Sequence, residues 1–346
     1  MRLAIDADTL GDERWFPIFD VLLLHLEGKR HAFAVDDLDQ LLGSAWVQRK
    51  GRQDRDLITR AATARSHDRL ADKNVVRIDS SAPAGGRVDD DFTTSLHPED
   101  CLTFLAQPFS VIVENEWFDG AFLLWMARAL KRDNLVNAYR ANRFVFRHAG
   151  GKNSLERSAS VLTQGVWPAP NGRHSRAMRL WACAVLDNDA KYPGNAPNAG
   201  LIAGLSPWVS FVHELARRSI ESYIPHTALI RYDRSNAFKD RVDALFRLTP
   251  DQRRHYHMKS GLRLKEDANP TAVAYMAALE ITPQEKALFG PIPAADWARL
   301  ASGFGKKLSL IYTDDRHRPV AADASAIDAG DKAELGRLLD AIYERI

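Results

Sequence analysis

Cysteine is almost absent from this chain. Only Cys101 and Cys183 occur in 346 residues, each in an apolar setting. That number and spacing exclude a disulfide framework and a cysteine-built metal site. Both read as buried free thiols of a reducing compartment. Long apolar runs are missing too. None approaches the ~20 residues that span a bilayer, and Met1-Arg2-Leu3-Ala4-Ile5-Asp6 carries no signal-peptide pattern. The expectation is a cytoplasmic protein without membrane contact. Excess charge is also lacking. With 47 Lys and Arg against 45 Asp and Glu, the net charge is +2, so a nucleic-acid partner would have to meet a local basic patch. No Walker A, GxGxxG or GxSxG motif stands in the chain, which removes the common nucleotide loops and the serine-hydrolase elbow. Neither internal repeats nor heptads appear. His255-Tyr256-His257 spaces its histidines two apart, which on a helix does not make a zinc pair.

What is present is a pattern between Val111 and Asp189. Val111-Ile112-Val113 is a short apolar run ending on Glu114. Ala184-Val185-Leu186 is a second, ending on Asp187-Asn188-Asp189. Short apolar runs bounded by polar residues read as buried strands of a parallel sheet. Ligands of open α/β sheets gather beyond the carboxyl ends of the strands. Acids brought together there repel one another, and a divalent cation offsets the repulsion. Between the two runs, Ala121 to Lys131 reads as an amphipathic helix and Arg143 to Arg147 as a strand. Gly150-Gly151 reads as a turn and Ser154 to Thr163 as a helix.

The order strand, helix, strand, Gly-Gly turn, helix, strand, with Glu114 on the first strand and Asp187-x-Asp189 on the last, resembles the Toprim domain. That domain is shared by topoisomerases, bacterial primases and OLD-family nucleases. Primases and topoisomerases follow the acid with Gly, where this chain has Asn115. Asp119, five positions after Glu114, is similar to the OLD-like branch. So is Arg217-Arg218-Ser219-Ile220-Glu221-Ser222-Tyr223-Ile224, within His213 to Pro225, similar to an R-x-x-I-E-x-Y-L helix of that branch; helical spacing runs from Pro207 to Ser222. Lys259-Ser260-Gly261 matches the late basic residue of such nucleases. The resemblance implies an Mg²⁺- or Mn²⁺-dependent endonuclease of bacterial antiviral defence, hydrolysing DNA or RNA. Glu114, Asp187, Asp189 and Lys259 would be catalytic. Glu114, Asp119, Asp187, Asp189 and Glu221 would hold metal. OLD-type nucleases often carry a fused ATPase. This chain has no Walker A, so a separate ATPase or sensor subunit is implied, and homo-oligomerisation stays open.

Each of these residues has a plainer reading. Strand-end acids often cap the next helix, Glu221 and Lys259 read equally as surface charges, and Glu116 reads as solvated. The loops around the last strand supply Arg173, His174, Arg176, Arg179 and Lys191, and the Gly-Gly turn supplies Lys152. Of these, Lys152, Arg173, Arg176 and Lys191 are the expected phosphate contacts.

The fold class expected is α/β, a Toprim-like parallel sheet flanked by helices. An N-terminal α/β segment (1–95) would precede a catalytic domain (96–265), and a mostly helical C-terminal region (266–346) would follow. In the first segment, Leu3-Ala4-Ile5, Ala32 to Val35 and Val75 to Ile78 read as strands, with helices at Phe16 to Leu26 and Asp54 to Ala64. Asp6, Asp8 and Asp36 at strand ends invite a PIN-nuclease reading, with helix capping or solvated turns the plainer account. Ser80 to Thr94 reads as a linker and Pro98 to Leu105 as a helix. The stretch from Asn188 to Gly204 reads as a loop. Helices are expected at Phe238 to Arg247, Pro250 to His257, Thr271 to Leu279 and Asp331 to Ile346. Two rival functions remain: a glycosyltransferase using Asp-x-Asp, and a non-catalytic Toprim-like scaffold subunit.

Overall fold

The structure is a computed structural model and describes residues 2–27, 31–33, 38–63, 74–165, 176–262 and 282–346. It is an α/β protein with two sheets. The first contains β1 (Arg2–Ile5), β2 (Ala32–Phe33), β3 (Val75–Ile78), β4 (Arg87–Val88) and β5 (Thr93–Leu96), in the order β2-β1-β3-β5-β4. All its pairs are parallel except β4 with β5. The stretch expected as a linker therefore completes this sheet. Its polar composition hides the fact that Thr94 and Ser95 are fully buried against their neighbours. Asp6 accepts the backbone N–H groups of Asp8 and Thr9 at the head of a short helix, the capping role. Asp36 and the Thr271 to Leu279 stretch lie outside the described residues, as do Ala34 and Val35.

The second sheet holds β6 (Phe109–Val113), β7 (Phe144–His148), β8 (Ala182–Leu186) and β9 (Val212–Glu214), all parallel, in the order β7-β6-β8-β9. Every residue of β6 and β8 is buried. Side chains alternate between faces. Val111, Val113, Cys183 and Val185 join the main core, while Ile112, Ala182, Ala184 and Leu186 form a smaller one with Leu155, Ala159 and Leu205. Both cysteines are free and buried.

Two expectations around β8 are corrected. Asn188 to Gly204 is not all loop, because Ala199–Leu205 is helical and covers the smaller core. Pro207 to Ser222 is not a helix. Val212 to Glu214 pairs instead with the edge of β8, Ala184 opposite Val212 and Leu186 opposite Glu214. Only Ile220–Tyr223 then makes a 3₁₀ turn. An unsatisfied strand edge outweighs helical spacing here, as burial of backbone groups requires. Beyond that turn the regular elements among the described residues are helices, including Asn236–Arg247, Pro250–His255 and the terminal helix Ala329–Tyr343.

Lys259 is set by a close crossing of two chain segments. Gly261 has φ +72°, and a Cβ there would stand 2.3 Å from the Ala301 carbonyl oxygen and 2.3 Å from the Gly303 nitrogen. The Phe304 N–H donates to the Met258 carbonyl at 2.7 Å and that of Gly305 to the Lys259 carbonyl at 3.0 Å. Gly261→Ala combines a left-handed backbone with a clash against backbone, and should cost about 2–5 kcal/mol. Urea unfolding checks this, and an unchanged midpoint would mean that the crossing tolerates a methyl group.

Candidate functional site

The chain runs from β6 outward to β7 on one side, then returns to β8 on the other. The crossover direction thus reverses between β6 and β8, which opens a crevice at their carboxyl ends. Ser110 lies opposite Ala182 and Ile112 opposite Ala184, so Glu114 and Asp187 leave the sheet side by side.

Each acid is held by local structure. After β6, Asn115 caps the helix Glu116–Ala129, its side chain accepting from Trp117 N–H at 3.0 Å and Phe118 N–H at 3.2 Å. Asp119, in the same first turn, accepts the Asn115 N–H at 2.8 Å. The Glu114 carbonyl accepts from Gly151 N–H at 3.3 Å, in the Gly150-Gly151 turn where both residues have positive φ. After β8, Asp187 Oδ1 accepts the Ile220 N–H at 3.0 Å. Asp189 sits at φ +58°, a conformation that Asp and Asn tolerate better than most residues, and its N–H donates to the Arg218 carbonyl. Glu221 is fully buried.

Two lysines meet this group. The Lys152 ammonium pairs with Asp189, and Lys259 Nζ lies 3.0 Å from Glu221 Oε1. Glu221 Oε2 and Glu114 Oε1 are buried without a hydrogen-bond partner.

The electrostatics follow from burial and crowding. Burial, then the charges of Asp189 and Asp119, push the Glu114 carboxyl up to about 7, against the pull of Lys152 and Lys259. Burial raises Asp119 to about 6, with Glu221 adding to it and the Asn115 N–H opposing. Asp187 stands well above the usual carboxylate range through burial first, then Asp119, Glu221, Glu114 and Asp189. Burial pulls the Lys259 ammonium down, but Glu221, Asp187 and Asp119 outweigh it and hold its pKa above the ordinary value. Three of the five acids expected from the sequence, Glu114, Asp119 and Asp187, are thus raised, and the charges of Asp189 and Glu221 contribute to the rise.

The expected phosphate contacts are scattered. Lys152 is drawn to Asp189. Arg176 lies at the surface with its guanidinium 6.0 Å from the Trp208 ring, and Lys191 is exposed. Arg179 pairs with Asp91 of the first sheet instead. Arg173 and His174 lie outside the described residues. Sequence reasoning missed Asn198, only 1% exposed. Its amide donates to the carbonyls of Asp187 at 2.8 Å and Asn188 at 2.9 Å, and to Glu214 Oε1 at 2.6 Å, pinning the acidic loop. Its only signal was an Asn ahead of the helical stretch Ala199–Leu205.

Comparison with protein-family models, with curated proteins and with solved structures found no match for this chain. Among the described residues no three His, Cys, Asp or Glu side chains form a ready-made metal cage. Mg²⁺ does not need one, since one or two carboxylates with water and substrate phosphates commonly hold it. The donors here are hard carboxylate oxygens, two buried ones lacking a hydrogen-bond partner, which fits such an ion.

A carboxyl whose folded pKa is raised stabilises the fold only while it stays protonated. Its contribution is complete below the unfolded value, near 4.5 for Glu114 and 3.8 for Asp119, and is lost as pH rises through about 7 and about 6. Glu114→Gln cannot ionise. In EDTA its melting temperature should match wild type at about pH 4 and exceed it at pH 8, and Mg²⁺ should narrow the gap by stabilising wild type. A gap that is constant with pH would show that Glu114 ionises freely in the fold.

Proposed function

We propose that this chain is a metal-dependent phosphodiesterase, a nuclease of Toprim type resembling the OLD-like branch. One observation carries the reading. At the β6–β8 crevice, burial and the charges of neighbouring acids, Asp189 and Glu221 among them, raise the carboxyls of Glu114, Asp119 and Asp187. Glu114, Asp187 and Asp189 would hold Mg²⁺ or Mn²⁺, with Asp119 and Glu221 assisting. The ion would neutralise charge on the phosphodiester oxygens and lower the pKa of an attacking water. The protein's own groups do the rest. Asp187, tied to the Ile220 N–H, and Asp189, in its left-handed turn, are fixed in direction before any ligand arrives. Lys259 presents a positive charge beside Glu221, suited to a phosphate or a leaving oxygen. Lys152, with Arg176 and Lys191 on neighbouring surface, would meet the backbone of DNA or RNA.

Among the described residues no helix is long and apolar enough to cross a membrane. We place the protein in the cytoplasm, with a separate ATPase or sensor subunit as partner and a role in antiviral defence. That part of the reading rests on the family resemblance.

A second reading, a non-catalytic scaffold subunit, is favoured by the ion pairs Lys152–Asp189 and Lys259–Glu221, which already offset part of the acidic charge. Activity separates the two. Purified protein is mixed with plasmid, single-stranded DNA or tRNA in Mg²⁺, Mn²⁺ or EDTA. Cleavage should require metal and should fall roughly 100-fold or more in Asp189→Asn and Asp187→Asn. Asn suits both places, because it tolerates the backbone of Asp189 and its side-chain oxygen can still accept the Ile220 N–H. Wild-type cutting by both variants would overturn the nuclease assignment.

A further inference from the structure

Glu221 reaches the crevice on a segment that has little regular structure of its own. Between the end of β9 at Glu214 and the turn at Ile220, the chain is neither helix nor strand. It is held from behind by the terminal helix Ala329–Tyr343. Glu334, 8% exposed, accepts the Ala216 N–H at 2.7 Å. The Tyr223 hydroxyl lies 2.8 and 3.0 Å from its two oxygens, and His213 Nε2 is 3.2 Å away. One turn earlier on the same helix, buried Asp331 accepts from Arg217 Nε at 2.8 Å. The Arg217 N–H closes the loop by donating to the Tyr223 oxygen at 3.1 Å.

Glu221 lies between these anchors and the site. Asp187 takes the Ile220 N–H, and the Tyr312 hydroxyl donates to the Ile220 carbonyl at 2.7 Å. The segment is therefore pinned on both sides, with the buried Glu221 carboxylate next in sequence to the pinned Ile220. A buried carboxylate that accepts from a backbone N–H and a buried phenol is not a solvated helix acid. Its removal strands the Ala216 N–H and the buried Tyr223 hydroxyl.

We propose that Glu334 is a positioning residue of the acidic site: by holding Ala216 and Tyr223 it fixes the segment that delivers Glu221 beside Asp187. Its effect on ion binding rests on the metal-dependent reading; its effect on the segment does not. Groups that orient metal ligands from behind typically change affinity 10–100-fold when lost.

The test uses the full chain with Glu334→Gln, and with Asp340→Asn as control. Asp340 is on the same helix but pairs with Arg132, at 2.7 Å, away from the crevice. Amide hydrogen exchange in EDTA reads the segment 216–224, and a Mn²⁺ titration reads the site. Glu334→Gln should speed exchange across 216–224 by about tenfold or more and weaken Mn²⁺ binding by about tenfold, with β6 and β8 unchanged. Asp340→Asn should do neither. Unchanged exchange at 216–224, or loosening spread equally into β6 and β8, would overturn the proposal. Should the Gln variant fail to fold, Tyr223→Phe, which deletes one hydroxyl, takes its place with the same readouts. Wild-type protein that binds no Mn²⁺ would sink the metal reading, and the exchange measurement would still decide what Glu334 does.

Discussion

Mutual repulsion among carboxylates at the β6–β8 crevice is the constraint around which the chain is built. Fully buried strands bring Glu114 and Asp187 out of the sheet together, and burial strengthens every charge interaction beyond them. A fold that only had to be stable would not gather five acids there. The surrounding structure reads as a set of devices that tolerate the arrangement. Lys152 and Lys259 lie against it, and N–H groups of Asn115 and Ile220 point into it. Asn198 ties down the loop that carries Asp187 and Asp189.

The devices come from distant stretches of chain. Lys259 depends on the crossing of Gly261 with Gly303, and the Glu221 segment on Glu334 and Tyr312. The Phe122 ring packs against Tyr223 at 5.4 Å and against Tyr312 at 5.3 Å between centroids, joining the helix after β6 to the segments behind Glu221. The last part of the chain is thus the back wall of the crevice.

Much of this was legible in the sequence, for a simple reason. Val111-Ile112-Val113 and Ala184-Val185-Leu186 are buried on both faces, so their composition alone marks them as strands, and the acids after them follow by position. The helices expected at Phe16 to Leu26, Pro98 to Leu105 and Phe238 to Arg247 are all found. What stayed hidden depends on partners far away in the chain. Thr93-Thr94-Ser95 looks like a linker until β3 pairs with it. The stretch around Val212 has helical spacing, and only the open edge of β8 makes it a strand. Glu221 was singled out by resemblance on a helix that does not form. Its burial comes from the 3₁₀ turn. Glu334 and Asp331 look like the outer face of an amphipathic helix, and nothing near them in sequence announces Tyr223 or Arg217.

The seam between the two sheets has a practical side. The 3₁₀ stretch Arg176–Trp181 feeds directly into β8, yet it leans on the first sheet. Arg179 meets Asp91 in the turn between β4 and β5, and a Cβ on Gly86 would come within 3.3 Å of Ala177. Dissection of the chain near residue 95 would therefore not yield a self-contained second unit. It would take Gly86 away from Ala177 and Asp91 away from Arg179, directly at the root of the strand that leads to Asp187 and Asp189. The opening residues serve as part of the foundation of β8, and a truncated version would report damage to that footing before it reported anything else.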